Sequence, residues 1–307
     1  MQFESSRRKF LAKATGTTLV GAVAVSIGTR LAAADEAAKE ATESTGRSVN
    51  HSVCKWCYGD IPLEDLCVAG KEFGLTSVEI IGPDQAETLK KHGMTCAMAN
   101  NATTKAADGK KVGGIGRGWN ETQYHDVLVE AYEPHIKAAA NAGIKNVICF
   151  SGNRRGMDNE TGLKNCAAGI KRLMPLCEEL DVTLSMELLN SKVNHKDYMC
   201  DRTPWGVELC QEVGSDNFKL LYDIYHMQIM EGDVIATIRK HHEFISHYHT
   251  GGVPGRNEID DTQELNYPAI VKAILETGYD GFIGQEFIPK RADKLASLKQ
   301  GVEICDV

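Results

Sequence analysis

Apolar positions follow two alternating rhythms along most of this chain. Short, nearly continuous apolar runs alternate with longer stretches in which apolar residues return every three or four positions. The first rhythm suits a buried strand and the second an amphipathic helix, so their alternation marks repeated βα units. The pattern predicts strands over 52–57, 77–81, 95–99, 146–150, 183–188, 219–223, 245–250 and 281–287. It predicts helices that include 63–73, 121–142, 161–180, 205–213, 234–241 and 267–276. Gly74, Gly93, Gly143, Gly214 and Gly278 each fall just past a helical run, where a C-cap needs positive φ. Eight strands, each followed by a helical run, in about 250 residues predict one α/β domain over 51–307, closed as a (β/α)8 barrel. The alternative is a doubly wound open sheet, which usually shows a Gly-rich phosphate turn after its first strand; residues 54–60 have none. The stretch 100–120 is long and rich in Gly and Lys, as lids and substrate loops often are.

The first fifty residues break this rhythm. Ser6-Arg7-Arg8-Lys9-Phe10-Leu11 is followed by a mildly apolar run to Gly28 and then by Leu31-Ala32-Ala33-Ala34. A basic start, a short apolar middle and a small-residue end predict a secretory signal over 1–34. The apolar run is too short, and too rich in Gly and Thr, for a spanning helix. The paired arginines resemble a twin-arginine export signal, which implies the twin-arginine export machinery as a partner, export in the folded state and a periplasmic location. Cleavage is expected after Ala34, with a flexible linker over 35–50.

Charge narrows the partners. The whole chain carries a net −8, and removing residues 1–34, with five basic groups and one acid, takes it to −12. No basic stripe remains, so nucleic acid and anionic membrane surfaces are poor partners. The ten cysteines are scattered through apolar segments and read as buried small hydrophobes, not as a disulfide framework. Self-association into a homo-oligomer stays open.

The candidate chemistry sits at strand ends. Glu187 ends the apolar run from Val182, Asp223 the run from Phe218, His249 the run from Ile245 and Glu286 the run from Phe282. The intervals are 36, 26 and 37 residues, about one βα unit each, so in a barrel the four converge on the C-terminal mouth. A lone Asp or Glu at a strand end often caps the next helix. Three carboxylates gathered at one mouth would repel one another unless a cation sat among them. Three oxygens and one imidazole suit a single divalent metal ion: Mn²⁺, Mg²⁺, Co²⁺ or Zn²⁺.

The second half resembles the hydroxypyruvate isomerase and ketose 3-epimerase group of the xylose-isomerase-like TIM barrel superfamily. The resemblance is carried by Glu187-Leu188-Leu189-Asn190, Asp223-Ile224-Tyr225-His226-Met227-Gln228, Val253-Pro254-Gly255-Arg256-Asn257-Glu258, Glu264-Leu265-Asn266-Tyr267 and the run from Gly278 to Phe287. It is specific from about residue 183 to 289; before residue 146 it rests mainly on the fold. It implies metal ligation by Glu187, Asp223, His249 and Glu286, proton transfer by Glu187 and Glu286, and substrate contacts from His226 and Arg256. One position departs: hydroxypyruvate isomerases of this group tend to carry Gln where this chain has His249, whereas ketose epimerases carry His.

A proton beside a carbonyl is too weakly acidic for an unaided carboxylate at neutral pH. A metal that chelates the carbonyl and the neighbouring hydroxyl stabilises the enediolate that forms. Glu187 then serves as base on one face of the substrate and Glu286 on the other. Return of the proton to the same carbon gives an epimerase, and delivery to the adjacent carbon an aldose–ketose isomerase. The expected activity is therefore that of a metal-dependent isomerase on a small sugar or hydroxy-keto acid, hydroxypyruvate-isomerase-like. The alternatives are a ketose 3-epimerase, an inosose-type dehydratase and a non-catalytic sugar-binding barrel. A phosphodiesterase of the endonuclease IV type would want extra His ligands and a basic face. His226 could polarise a substrate oxygen and Arg256 anchor a hydroxyl or carboxylate; Asn190 and Trp56 are further candidates for substrate contact. Trp119 is as well explained by burial. Lys192 and His195 read as a solvated loop. Cys54-Lys55-Trp56-Cys57 has redox spacing, but on a first strand its thiols would face opposite ways.

Overall fold

The computed structural model describes residues 49–307, so the export signal expected over 1–34 and the linker up to residue 48 lie outside the described residues. In chain order the strands are β1 (Asn50–Val53), β2 (Thr104–Lys105), β3 (Lys111–Val112), β4 (Asn146–Cys149), β5 (Thr183–Glu187), β6 (Phe218–Asp223), β7 (Ile245–Thr250) and β8 (Phe282–Gln285). Six of them form one parallel sheet in the order β1-β8-β7-β6-β5-β4. The strands expected over 77–81 and 95–99 complete the ring through single parallel bridges: Cys54 with Glu79, Ser77 with Thr95, Ile81 with Ala99, and Ala99 with Val147. Ile80 interrupts its extended run with a left-handed φ of 56°, which no regular ladder accommodates. The architecture is the expected (β/α)8 barrel, well paired over one side and thinly paired over the other.

The helices are α1 (Leu63–Phe73), α2 (Ala86–Lys91), α3 (His125–Ala142), α4 (Asn159–Ile170), α5 (Met174–Leu180), α6 (Thr203–Val213), α7 (Ile224–Met230), α8 (Val234–His241), α9 (Tyr267–Glu276) and α10 (Lys294–Cys305). The five glycines expected to end helices all take positive φ. The single helix expected over 161–180 is two, because Pro175 sits in the first turn of α5, where its missing N–H and its ring prevent the helix from running through. The long 100–120 loop folds part of itself into the β2–β3 hairpin. The first strand ends sooner than its apolar run suggests. Cys57 N–H donates to the Cys54 carbonyl at 3.2 Å and curls 55–58 into a 3₁₀ turn, so the two thiols do not alternate along a strand. Among the described residues no helix is long and apolar enough to cross a membrane.

Helices pack closely on the paired side. A β-carbon added to Gly206 of α6 would lie 2.9 Å from Leu220 Cδ2 on β6, so only a residue without a side chain lets this helix settle. Leu220 is itself fully buried. Leu220→Ala is expected to cost about 2–5 kcal/mol of stability, because the close-packed helix cannot collapse fully into the gap. Urea unfolding of the purified variant measures this.

Candidate metal centre

Parallel strands all deliver their last residues to the same rim. Glu187 closes β5 and Asp223 closes β6; His249 is the penultimate residue of β7, and Glu286 follows directly on β8. Register brings Asp223 opposite His249, and Thr250 opposite Gln285. All four side chains are buried, and one ligand atom from each lies within 4.8 Å of all the others.

Partners divide the four unequally. Asp223 caps α7 with Oδ1, which accepts from His226 N–H at 3.0 Å, and keeps Oδ2 for the site. That oxygen accepts from Arg256 Nη2 at 3.0 Å, and the same nitrogen reaches Glu286 Oε2 at 2.5 Å. Arg256 adopts a left-handed φ of 59° to do this. Its guanidinium lies 5.2 Å from the Trp56 ring centre and 5.6 Å from that of Tyr225. Trp56, 44% exposed, donates from Nε1 to Glu286 Oε1 at 2.8 Å. His249 Nδ1 sits 2.8 Å from Glu286 Oε2 and 3.9 Å from Glu187 Oε1.

Arg256 therefore already offsets two of the three carboxylates, and repulsion alone is a weaker argument for a metal than it was in the sequence. The stronger one is the set of polar atoms left over. Glu187 Oε1 and His226 Nε2 are buried without a hydrogen-bond partner, and His249 Nδ1 has only its close ion-pair contact with Glu286 Oε2. Glu187 Oε1 belongs to the four-residue cluster, and buried unpartnered atoms of this kind call for an ion or a bound oxygen. A carboxylate-rich set with one imidazole fits a divalent ion of the borderline-to-hard class.

Electrostatics separates the carboxylates further. Burial, reinforced by the charge of Glu286, pushes the Glu187 carboxyl well above its usual range. Burial likewise pushes Asp223 up to about 7 against the pull of Arg256. Glu286 is buried too, but Arg256 and His249 outweigh that and hold it well below the usual range. His249 moves the other way: burial disfavours its charge, yet Glu286 and Glu79 keep the ring protonated well above the ordinary histidine range.

His226 is fixed by Asn190. Asn190 Oδ1 accepts the backbone N–H groups of Val193 at 3.0 Å and Asn194 at 2.9 Å, so its amide nitrogen must face His226 Nδ1, 2.6 Å away. A nitrogen that accepts from an amide carries no proton of its own, so the proton of neutral His226 sits on Nε2. Burial, with Arg256 nearby, depresses the ring well below its ordinary pKa and keeps it neutral. Asn190 thus spends its polar atoms on other protein groups. Lys192 caps the end of α7, donating to the carbonyls of Ile229 at 2.8 Å and Met230 at 3.1 Å. The His195 ring stacks edge-on to His226 at 5.3 Å. Trp119 is buried.

Glu79 escaped the sequence reading. It is fully buried, and its Oε1 accepts from His249 Nε2 at 2.6 Å and His247 Nε2 at 2.8 Å. The two histidines outweigh burial and hold it well below the usual carboxylate range. The signal was present: a Glu inside Val78-Glu79-Ile80-Ile81 interrupts an apolar strand, and glutamate is almost never fully buried without a partner. Cys54 Sγ lies 3.7 Å from Glu79 Oε1 and 3.6 Å from His249 Nε2, and burial pushes its thiol up, as it does that of Cys57.

The sequence pattern of the family described as "Xylose isomerase-like TIM barrel" matches residues 69–305. A 2-oxo-tetronate isomerase of Cupriavidus necator is 39% identical over 109 residues, which cover 36% of this chain and 41% of that protein. The hydroxypyruvate isomerase of Escherichia coli is 29% identical over 174 residues, 55% of this chain and 64% of that protein. The matched stretch thus spans less than two thirds of either relative. Among solved structures, an "AP endonuclease, family 2" from Brucella melitensis superposes with a TM-score of 0.69 at 24% identity, over 81% of this chain and 97% of the other. At that identity the likeness speaks for the fold alone.

Divalent-ion uptake at this cluster is expected to weaken as pH falls. Glu187, Asp223 and His249 all hold protons above their ordinary pKa, and an ion must displace them; acidification through about 7 adds protons at Asp223. The affinity for Mn²⁺ should drop roughly tenfold per pH unit for each proton displaced. Calorimetric titrations in buffers of different ionisation enthalpy measure both affinity and proton release. An affinity that is flat across the neutral range would contradict this electrostatic picture.

Proposed function

Since the chain belongs to the xylose isomerase-like TIM barrel family, we propose that it is a divalent-metal-dependent isomerase of small hydroxy-carbonyl compounds, hydroxypyruvate-isomerase-like in its chemistry. The observation that carries this reading is the convergence of Glu187, Asp223, His249 and Glu286 within 4.8 Å at the barrel mouth, with Glu187 Oε1 left there without a hydrogen-bond partner. Both relatives named above are isomerases by name, and both names refer to small oxo-acids. A bound ion would supply Lewis-acid stabilisation of negative charge developing on substrate oxygens.

The chain's own residues do the rest. Glu187, with its affinity for protons raised by burial, is the base that takes the proton beside the carbonyl. Glu286, on the closing side of the ring, serves the opposite face. Arg256 and Trp56 hold its two oxygens, so that it presents a fixed geometry. His226 donates from Nε2 to a substrate oxygen while Asn190 keeps the ring in the required tautomer. Arg256 Nε has no partner and is left to donate to a substrate hydroxyl or carboxylate. The half-exposed indole of Trp56 walls the entrance.

His249 favours a second reading within the same chemistry. By the resemblance described above, a histidine at this position goes with ketose 3-epimerases, in which the proton returns to the carbon it left. The proposed setting for either activity is the periplasm, reached in the folded state. Arg7-Arg8 and the apolar run behind them support it.

Incubating metal-loaded protein in D₂O with hydroxypyruvate and a panel of keto-sugars is expected to place deuterium on the carbon beside the carbonyl. Glu187→Gln and Glu286→Gln should each lower the exchange rate by about 10²–10⁴-fold, with metal content measured alongside. Absence of label in every substrate would overturn the proton-transfer reading, and the label's position separates isomerase from epimerase.

A further inference from the structure

Resting on the metal reading above, we propose that Glu79 is a positioning residue: it fixes the His249 ring so that Nδ1 alone is offered to the ion, and His247 locks Glu79 into that task. The two nitrogens of His249 face different surroundings. Nδ1 looks toward Glu286 Oε2 at 2.8 Å and Glu187 Oε1 at 3.9 Å, while Nε2 looks away from the cluster, onto Glu79 Oε1 at 2.6 Å. An ionised carboxylate only accepts hydrogen bonds, so Nε2 must carry a proton and Nδ1 is the atom that can release its own. Without Glu79 the ring could flip or change tautomer and offer a proton where a lone pair is needed.

His247 stands two residues earlier on β7, on the same face of the strand, and donates to the same Oε1 at 2.8 Å. One oxygen thus receives two N–H groups from rings whose planes are nearly perpendicular, at 87°. Both bonds hold Oε1, while Oε2 is buried without a hydrogen-bond partner. Two features of the backbone make room for this. A β-carbon on Gly284 would lie 2.6 Å from Glu79 Oε1 and 2.9 Å from His249 Cδ2, so any larger residue at 284 would collide with both partners. Ile80, directly after Glu79, holds a φ of 56°, a conformation costly for a β-branched residue. Strain kept at a residue next to a buried carboxylate is accounted for if that carboxylate has to be aimed. A purely structural role would need only that Glu79 be satisfied; it would not matter which nitrogen of His249 faced the cluster.

The test uses the full-length protein. In ¹⁵N-histidine-labelled wild type loaded with Zn²⁺, the His249 resonances should show a proton on Nε2 and a deprotonated Nδ1. Glu79→Gln should bind Zn²⁺ about 10–100-fold more weakly in competition with a chromogenic chelator, and should shift the visible bands of the Co²⁺-substituted protein. His249 with its proton on Nδ1 in the loaded wild type overturns the proposal, and that measurement stands even if the variant does not fold. So does a folded Glu79→Gln whose Zn²⁺ affinity lies within about twofold of wild type with unchanged Co²⁺ bands. A wild type that takes up no divalent ion fails earlier: it overturns the metal reading, and this proposal with it.

Discussion

Negative charge without water governs the mouth of this barrel. Glu79, Glu187, Asp223 and Glu286 are all buried there, and an ionised carboxylate stranded in such surroundings costs several kcal/mol unless a positive group answers it. The answers come from different parts of the fold. Arg256 bridges Asp223 and Glu286, His249 lies between Glu286 and Glu79, and His247 is a second donor to Glu79 Oε1. Glu187 has only the long contact with His249 Nδ1, at 3.9 Å, and there burial prevails and raises its affinity for a proton. One cluster thereby holds carboxylates of opposite character, one with a raised and one with a lowered affinity for protons, which is the usual way a single site divides proton-transfer roles.

The same constraint accounts for two of the unusual backbone positions. Ile80 and Arg256 both adopt left-handed φ without being glycine. Each adjoins or carries a charged group that has to be delivered to the cluster from outside the regular strand ends. The paired side of the barrel supplies Glu187, Asp223, His249 and Glu286, and the thinly paired side supplies Glu79. The weaker pairing around 75–81 is therefore connected to the site: a continuous ladder there would not accommodate the turn that follows Glu79.

Much of the site was legible in one dimension, for a geometric reason. In a parallel barrel, being last in a strand is the same as being at the mouth, so Glu187, Asp223, His249 and Glu286 announce themselves by ending apolar runs at βα intervals. Asp223 also shows that the capping reading and the ligand reading are compatible, since its two oxygens divide the work. What could not be read is what depends on three-dimensional partners. Arg256 stands in a loop, and nothing in Pro254-Gly255-Arg256 says that its guanidinium will enter the carboxylate cluster. Asn190 comes three residues after Glu187, yet its amide is consumed in orienting His226. Glu79 lies in the half of the chain where motifs are thin, and its importance depends on two histidines about 170 residues away. The break at Pro175 and the early turn after Val53 are local, and were missed because apolar content outvoted the chemistry of single residues.

The ten free thiols bear on how long such a protein endures. Several crowd one region of the barrel, where Cys149 feels Cys166, Cys177 and Cys210, and burial pushes the Cys149 thiol well above its ordinary pKa. Thiols kept protonated and dry are poor nucleophiles, so in the folded chain they are inert even among oxidants. That protection is purely geometric. In an oxidising compartment a single opening of the barrel would expose neighbouring thiols to oxidation, and any disulfide formed in the wrong place would bar the way back. In such a compartment the protein's working life would then be a rate, set by how seldom the barrel opens and not by how strongly equilibrium favours the closed state.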